Sequence, residues 1–301
     1  MNKVVLIGCG NVGMAYAYAL INQKTYVDEL VLIDINKDKT IGEVMDLNHC
    51  LPYSPSKIKV SCGEYKDCKD ARIVVICAGA NQKPGETRMD LIEKNASIFK
   101  SIIKDIKTSG FDGIYLVATN PLDVMTYLTL KYSGTSYKKV IGTGAALDTA
   151  RLRYMLSEKL NMCSKDIDAY VIGEHGDSEF IPWSNANVAF KKISDYLSQK
   201  EMEKIEKKVR NSAYEVIKRK GATYYGIGTC MVRITNAILE DKKRILSVSS
   251  YDKKYENCIS IPTIVGASGV EDKIDMPMSE EEKEKLLTSI NIIKEGINRV
   301  L

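Results

Sequence analysis

The sequence predicts an α/β protein, a doubly wound parallel sheet followed by an α+β part. Three observations carry that expectation. Strand-like apolar runs alternate with amphipathic helical stretches through the first half. A glycine turn follows the first of those runs directly and opens a helix. The second half loses this alternation and gathers most of its strand-like runs after two further helices. The crossing near Ile141-Gly142 gives a working division into 1–142 and 143–301.

Size and composition narrow the classes. At 301 residues the chain is long for one core, so two tightly associated domains are expected. Hydrophobic residues at 45% and charged residues at 27% are those of an ordinary globular protein. Val4-Val5-Leu6-Ile7 is too short for a signal peptide, and no run approaches the ~20 residues of a membrane span, so a cytoplasmic protein without a membrane partner is expected. Eight scattered cysteines without a C-x-x-C pair, and only two histidines, read as buried thiols and no metal site. A net charge of +4, well mixed with acids, suits an anionic metabolite and lacks the concentrated basic face that nucleic acid requires.

Taken in order, Lys3-Val4-Val5-Leu6-Ile7 reads as a strand buried on both faces, followed at once by Gly8-Cys9-Gly10-Asn11-Val12-Gly13. The spacing is G-x-G-x-x-G. A helix over 14–22 and a second apolar strand, Leu30-Val31-Leu32-Ile33, complete the unit, and Asp34 ends that strand. An acid about 20 residues past the glycines is where a dinucleotide fold places a carboxylate on the adenosine ribose. It would repel a 2′-phosphate, so NAD is the expected cofactor. The pattern continues with a helix over 38–49, strands over 57–61 and 71–77, a helix over 88–109, and strands over 113–118 and 139–142. Ligands of such sheets sit beyond the carboxyl ends of the strands.

Two loops fall at those ends. The segment from Ala78 to Arg88 is long and polar, with the Gly and Pro content of a lid and an arginine at its far hinge. Thr119-Asn120-Pro121-Leu122 reads as a fixed turn of the kind that accommodates a cis bond. His49 sits in helical sequence and reads as structural.

In the second half a helix over 145–160 places Asp148 and Arg151 on one face, while Arg153, about 200° around from Arg151, serves another surface. The run Ala169-Tyr170-Val171-Ile172 reads as a strand that delivers His175 into a turn bracketed by Gly173 and Gly176. A charged helix over 202–220 follows, then Thr223-Tyr224-Tyr225-Gly226-Ile227-Gly228 opens a helix to about 240. Strands over 244–249, 258–264 and 273–276 precede a final helix capped by Ser279-Glu280-Glu281-Glu282.

Five of these stretches, in this order, resemble the L-lactate and malate dehydrogenase family over essentially the whole chain. They are Gly8 to Gly13, Ala78 to Arg88, Ala118-Thr119-Asn120-Pro121, Leu147-Asp148-Thr149-Ala150-Arg151 and Gly173-Glu174-His175-Gly176-Asp177. The likeness is greatest to bacterial L-lactate dehydrogenases. It implies a Rossmann NAD-binding domain, then a substrate and catalytic domain. His175 would be proton donor and acceptor, Asp148 its partner, Arg151 the fork for the substrate carboxylate and Arg88 the polariser of the carbonyl. Asn120 would place substrate and nicotinamide. The resemblance further implies cofactor contacts from Gly8, Gly10, Asn11, Val12, Gly13, Asp34, Ala78, Gly79, Ala80, Thr119 and Asn120. A carboxylate partner should raise the pKa of His175 above its reference of ~6.5.

Substrate choice rests on Gln82. Family members acting on oxaloacetate generally carry arginine there, whereas glutamine accompanies the methyl of pyruvate, and Thr223 matches the residue bounding the pocket near that methyl. Malate dehydrogenase is the alternative within the fold, and a catalytically silent NAD-binding protein the alternative outside it. Arg153 matches an interface arginine that holds fructose 1,6-bisphosphate in many bacterial relatives, but Asp168 replaces the histidine that accompanies it. An acid there should repel a phosphate, so weak or absent activation is expected. A homotetramer is the family expectation.

Overall fold

The computed structural model describes residues 1–80 and 88–301, and of 88–90 the backbone alone. Its centre is the parallel ladder that the apolar runs predict. β1 (Lys3–Ile7) pairs in parallel with β2 (Glu29–Ile33) and with β4 (Ile73–Ile76). β3 (Lys59–Cys62) extends it beside β2, and β5 (Ile114–Val117) and β6 (Val140–Gly142) extend it beside β4. Successive side chains of a strand point to opposite faces. Val5, Ile7, Val74 and Ile76 accordingly enter one core, and Val4, Leu6, Ile73 and Val75 the core on the other face. Each such buried aliphatic side chain contributes about 1.5–3 kcal/mol.

Helices α1 (Asn11–Ile21), α2 (Lys37–Cys50), α3 (Arg88–Thr108) and α4 (Leu122–Ser133) connect these strands. α4 has no counterpart in the sequence reading. Its Asp123, Thr126 and Thr129 are buried together with Leu122, Val124, Met125 and Leu128, so its hydropathy carries no one-sided stripe.

The second half opens with α5 (Ala146–Leu160). A small sheet follows, of β7 (Ile167–Asp168), β8 (Asn187–Val188) and β9 (Lys191–Lys192). Then come α6 (Gln199–Lys220), α7 (Tyr225–Leu239), β10 (Arg244–Asp252), β11 (Asn257–Gly266), β12 (Gly269–Lys273) and α8 (Glu280–Asn298). Ser279 and Glu282 close a capping box at the start of α8, as their spacing predicts.

Three expectations change. β10, β11 and β12 join the first sheet through β6, antiparallel, so that among the described residues it has nine strands in the order β12-β11-β10-β6-β5-β4-β1-β2-β3. The strand expected over 273–276 lies at Gly269–Lys273, where Gly269 takes φ +91° to close the turn from β11. The strand expected over 169–172 is not regular. Its backbone bonds go to scattered partners: Val171 N–H donates to Thr149 Oγ1 at 3.0 Å, and Ile172 pairs with Phe180 as an isolated bridge.

α7 seals the second half onto the first. Tyr16 of α1 is buried with its hydroxyl 2.8 Å from Thr235 Oγ1, and a side chain at Gly228 would lie 2.7 Å from the carbonyl oxygen of Ala15. Among the described residues no helix is long and apolar enough to cross a membrane.

Candidate active site

The carboxyl end of β1 runs into the glycine turn. Gly8 has φ +101°, and a side chain there would lie 2.5 Å from the amide nitrogen of Ala78. A side chain at Gly13 would collide with the Gly8 carbonyl. At Gly10 it would meet nothing within 4 Å. Two glycines are therefore required by packing, and the third leaves open space before the N-terminus of α1, where Gly10 provides no side-chain cap. Uncapped amides and a helix dipole suit a phosphate. Asp34 follows β2 directly beside them, its Oδ2 accepting from Cys9 N–H at 2.7 Å and its Oδ1 from Asn36 N–H at 2.9 Å. Turn, open space and oriented carboxylate fit a dinucleotide.

The next two strand ends are stapled together. Asn95 of α3, fully buried, accepts from Ala80 N–H and donates to the Asn120 carbonyl, both at 2.8 Å. Thr119 Oγ1 donates to the Ala78 carbonyl at 2.8 Å, and Gly79 faces the Thr119 methyl at a distance that admits no side chain. The Asn120-Pro121 bond is cis, as the turn reading allows. Asn95 is absent from the sequence reading because nothing in its helical context separates it from a solvent-facing amide.

Asp148 stands in the first turn of α5, where the helix dipole favours a negative charge. It is only 2% exposed. Its Oδ2 lies 2.7 Å from His175 Nδ1 and its Oδ1 2.5 Å from the Arg151 guanidinium. The sequence could place Asp148 and Arg151 on one face; the contact with His175 came only from resemblance. Because a carboxylate can only accept, Nδ1 carries the proton and Nε2 is left for the reacting group. His175 keeps 26% of its side-chain surface and borders a cavity of about 140 Å³ with Pro121, Leu122 and Glu174.

The histidine turn is fixed by a residue the sequence reading missed. Asp123 of α4 accepts from His175 N–H at 2.8 Å with Oδ2 and from Ser249 Oγ at 2.6 Å with Oδ1. Gly173, at φ +99°, would bring a side chain within 2.6 Å of Ser289 Oγ, so this turn admits glycine alone.

Electrostatics follow from these contacts. Burial opposes the imidazolium, but the charge and hydrogen bond of Asp148 outweigh it, with Asp123 adding, and the His175 pKa rises to about 9. Burial likewise works against the Asp148 carboxylate, yet His175 and Arg151 hold its pKa below the usual value. Desolvation raises Asp123 to about 6.

Arg153 points away from this cluster, as its helical position predicts. Its Nε donates to the Ala169 carbonyl at 3.0 Å, its guanidinium lies 4.6 Å from the Tyr170 ring centroid, and Asp168 is 3.9 Å away. A cavity of about 610 Å³ beside it is also lined by Lys165, Arg233, Lys242, Lys243 and Arg244. Thr223 lies half-buried between α6 and α7. His49 is exposed in the last turn of α2. Gln82 and the Arg88 side chain lie outside the described residues.

A dinucleotide turn on a doubly wound sheet, joined to a buried Asp-His pair with an adjoining guanidinium, defines an NAD-dependent oxidoreductase. Family models agree. The lactate/malate dehydrogenase NAD binding domain matches residues 2–142, and the lactate/malate dehydrogenase alpha/beta C-terminal domain matches 145–301. The chain belongs to the lactate/malate dehydrogenase family. It is 49% identical to an L-lactate dehydrogenase of Bacillus pumilus over 305 residues, which cover 98% of this chain and 96% of that one. Among solved structures, a lactate dehydrogenase from a Medee basin deep-sea metagenome library superposes with a TM-score of 0.97 at 48% identity, covering 99% and 98% of the two chains. The ligands-bound minor L-lactate dehydrogenase of Enterococcus mundtii gives 0.97 at 42%, covering 100% and 98%.

Proposed function

We propose that the protein is an L-lactate dehydrogenase, interconverting pyruvate and L-lactate with His175 giving and taking the proton. The observation that carries this reading is the Asp148 carboxylate held between the His175 ring and the Arg151 guanidinium. When bound, the nicotinamide would supply the hydride as NADH for pyruvate reduction and accept it as NAD+ for lactate oxidation. As charge builds on the ketone oxygen, His175 donates from Nε2, since Nδ1 is committed to Asp148. In the reverse direction neutral His175 takes the hydroxyl proton, and Asp148 stabilises the resulting imidazolium. Arg151 turns its remaining guanidinium hydrogens to the substrate carboxylate as a two-pronged clamp. Arg88 polarises the carbonyl, Asn120 orients substrate and nicotinamide, and Thr223 bounds the methyl pocket. The turn from Gly8 to Gly13, Asp34 and the loop ends around Gly79 and Thr119 hold the dinucleotide.

Gln82 supports pyruvate over oxaloacetate, because a second carboxylate buried against a neutral amide lacks a counter-charge. The functional division falls at 1–142 and 143–301. The enzyme works as a cytoplasmic homotetramer in fermentative glycolysis. Exposed apolar side chains on three helices, Tyr18, Ile41, Met45 and Tyr225, support association.

The test is NADH oxidation with pyruvate and with oxaloacetate, each with and without fructose 1,6-bisphosphate. Preference for pyruvate is expected, shifting toward oxaloacetate in Gln82→Arg; unchanged or sharper pyruvate selectivity in that variant sinks the substrate assignment. Asp168 beside Arg153 supports a weak or absent effector response, and a large fall in pyruvate KM on adding the bisphosphate refutes it.

A further inference from the structure

The proton-transfer pair has a third buried neighbour that the mechanism above does not use. Glu179 lies four residues past His175 and is 4% exposed. One of its carboxyl oxygens, a His175 ring nitrogen and an Asp148 carboxylate oxygen all lie within 4.8 Å of one another. These are atoms of metal-ligand type, but Arg151 already neutralises Asp148 Oδ1 and His175 Nδ1 already faces Oδ2. A cation there would have to displace both, so the cluster is better built to share protons.

Among the described residues the cations near Glu179 bond other acceptors, and the buried Arg210 Nε has no partner. The Arg151 guanidinium bonds Asp148, and the Arg210 guanidinium of α6 donates to the backbone carbonyl of Glu179 and to Glu206. Among the described residues no cationic side chain donates to the Glu179 carboxyl. A second buried negative charge beside Asp148 therefore meets burial and the Asp148 charge with only the more distant pull of His175 and Arg151 to offset them.

We propose that Glu179 is a positioning residue that carries its proton in the working enzyme, donates it in a hydrogen bond to the Asp148 carboxylate, and so sets how tightly Asp148 holds the His175 proton. Burial, then the charge of Asp148, raises the Glu179 pKa, in keeping with this assignment. The other titratable groups facing the cluster are Asp123 of α4 and Cys230 of α7, with Glu174 beside the turn and Glu295 and Arg299 of α8 across the adjoining cavity. Among the described residues only Glu179 combines near-complete burial with a carboxyl oxygen close to both members of the pair.

The proposal rests on His175 as the proton donor, yet it can be tested without substrate. The chain has two histidines, and His49 is exposed in α2, so NMR of histidine-labelled protein reads the His175 titration directly, with His49→Gln for assignment. Glutamine keeps a neutral donor toward Asp148; methionine keeps the bulk and removes the donor. In Glu179→Gln the His175 midpoint is expected to stay within about 0.3 pH unit of the parent, well inside the ~1 unit spread that environment ordinarily produces. In Glu179→Met, Asp148 loses a donor, becomes a stronger acceptor, and the midpoint rises by about half a unit or more, the pH profile of lactate oxidation following it. A fall in Glu179→Gln means Glu179 was ionised and overturns the proposal. No rise in Glu179→Met overturns it as well, leaving Glu179 a packing residue. If the titrations behave as expected while the parent fails to oxidise lactate, Glu179 keeps its assigned role and the substrate reading fails instead.

Discussion

The glycine turn and the histidine turn place their functional groups by opposite means. At Gly8 to Gly13 the work is done by missing side chains: two glycines let the backbone close on itself and on Ala78, and the third keeps a space open. At His175 the backbone is held by side chains from distant elements. Asp123 takes its N–H, Thr149 takes that of Val171, and Ser247 Oγ donates to the Val171 carbonyl at 2.5 Å. The first arrangement is contiguous in sequence. The second gathers buried carboxyl groups, Asp123, Asp148 and Glu179, around one imidazole. A site built the first way should be sensitive to added volume, and one built the second way to changes in charge.

The sharpest separation of the two is His175→Gln. Loss of a positioned acid-base group lowers kcat for pyruvate reduction by about 10²–10⁴. The glycine turn is untouched, so NADH binding, followed by its fluorescence, should barely change. If NADH affinity falls in parallel with kcat, the turns are not independent.

The converse test uses two glycines of one turn. Gly13→Ala forces a methyl onto the Gly8 carbonyl and should destabilise the fold by about 1–3 kcal/mol in urea unfolding, with loss of NADH binding. Gly10→Ala meets no protein atom, so stability should stay within about 0.5 kcal/mol of the parent while NADH binding weakens. Equal destabilisation by both would mean that the space beside Gly10 is structural.

The same contrast explains what could be read in advance. Gly8, Gly10, Gly13 and Asp34 are legible because spacing along one strand-turn-helix unit fixes their geometry. Asp148 and Arg151 are half legible: helical spacing gives their shared face, but not the imidazole waiting there. Asp123, Asn95 and Glu179 are illegible, since each is a buried polar side chain whose partners are far along the chain or in a turn of no repeating geometry. α4 escapes notice for a related reason, being buried around its whole circumference. The run 169–172 misleads because its apolar side chains look like a strand while its backbone is satisfied mainly by single side chains and bridges.

The smallest effect concerns pH, and it belongs to the histidine turn alone. His175, raised to about 9 against ~6.5 in the unfolded chain, holds a proton in the folded state that the unfolded state has lost. Its contribution is fully present below about pH 6.5 and disappears as pH rises through the folded value. Glu179, also raised, acts in the same direction, because keeping an acid protonated costs more as the unfolded state gains by ionising. Asp148, lowered, acts in the opposite window: its stabilisation is present above the unfolded carboxylate value and is lost only as acid protonates the folded protein. Between pH 7 and pH 8 each excess proton removes at most about 1.4 kcal/mol, and at 301 residues Tm falls by about 1.6 °C per kcal/mol. Calorimetry across that interval should show the decline in the parent and a shallower one in His175→Gln. A slope unchanged by removing the imidazole would mean that His175 does not set it, leaving Glu179 or groups outside the cluster, and would break the contrast between a turn built by volume and a turn built by charge.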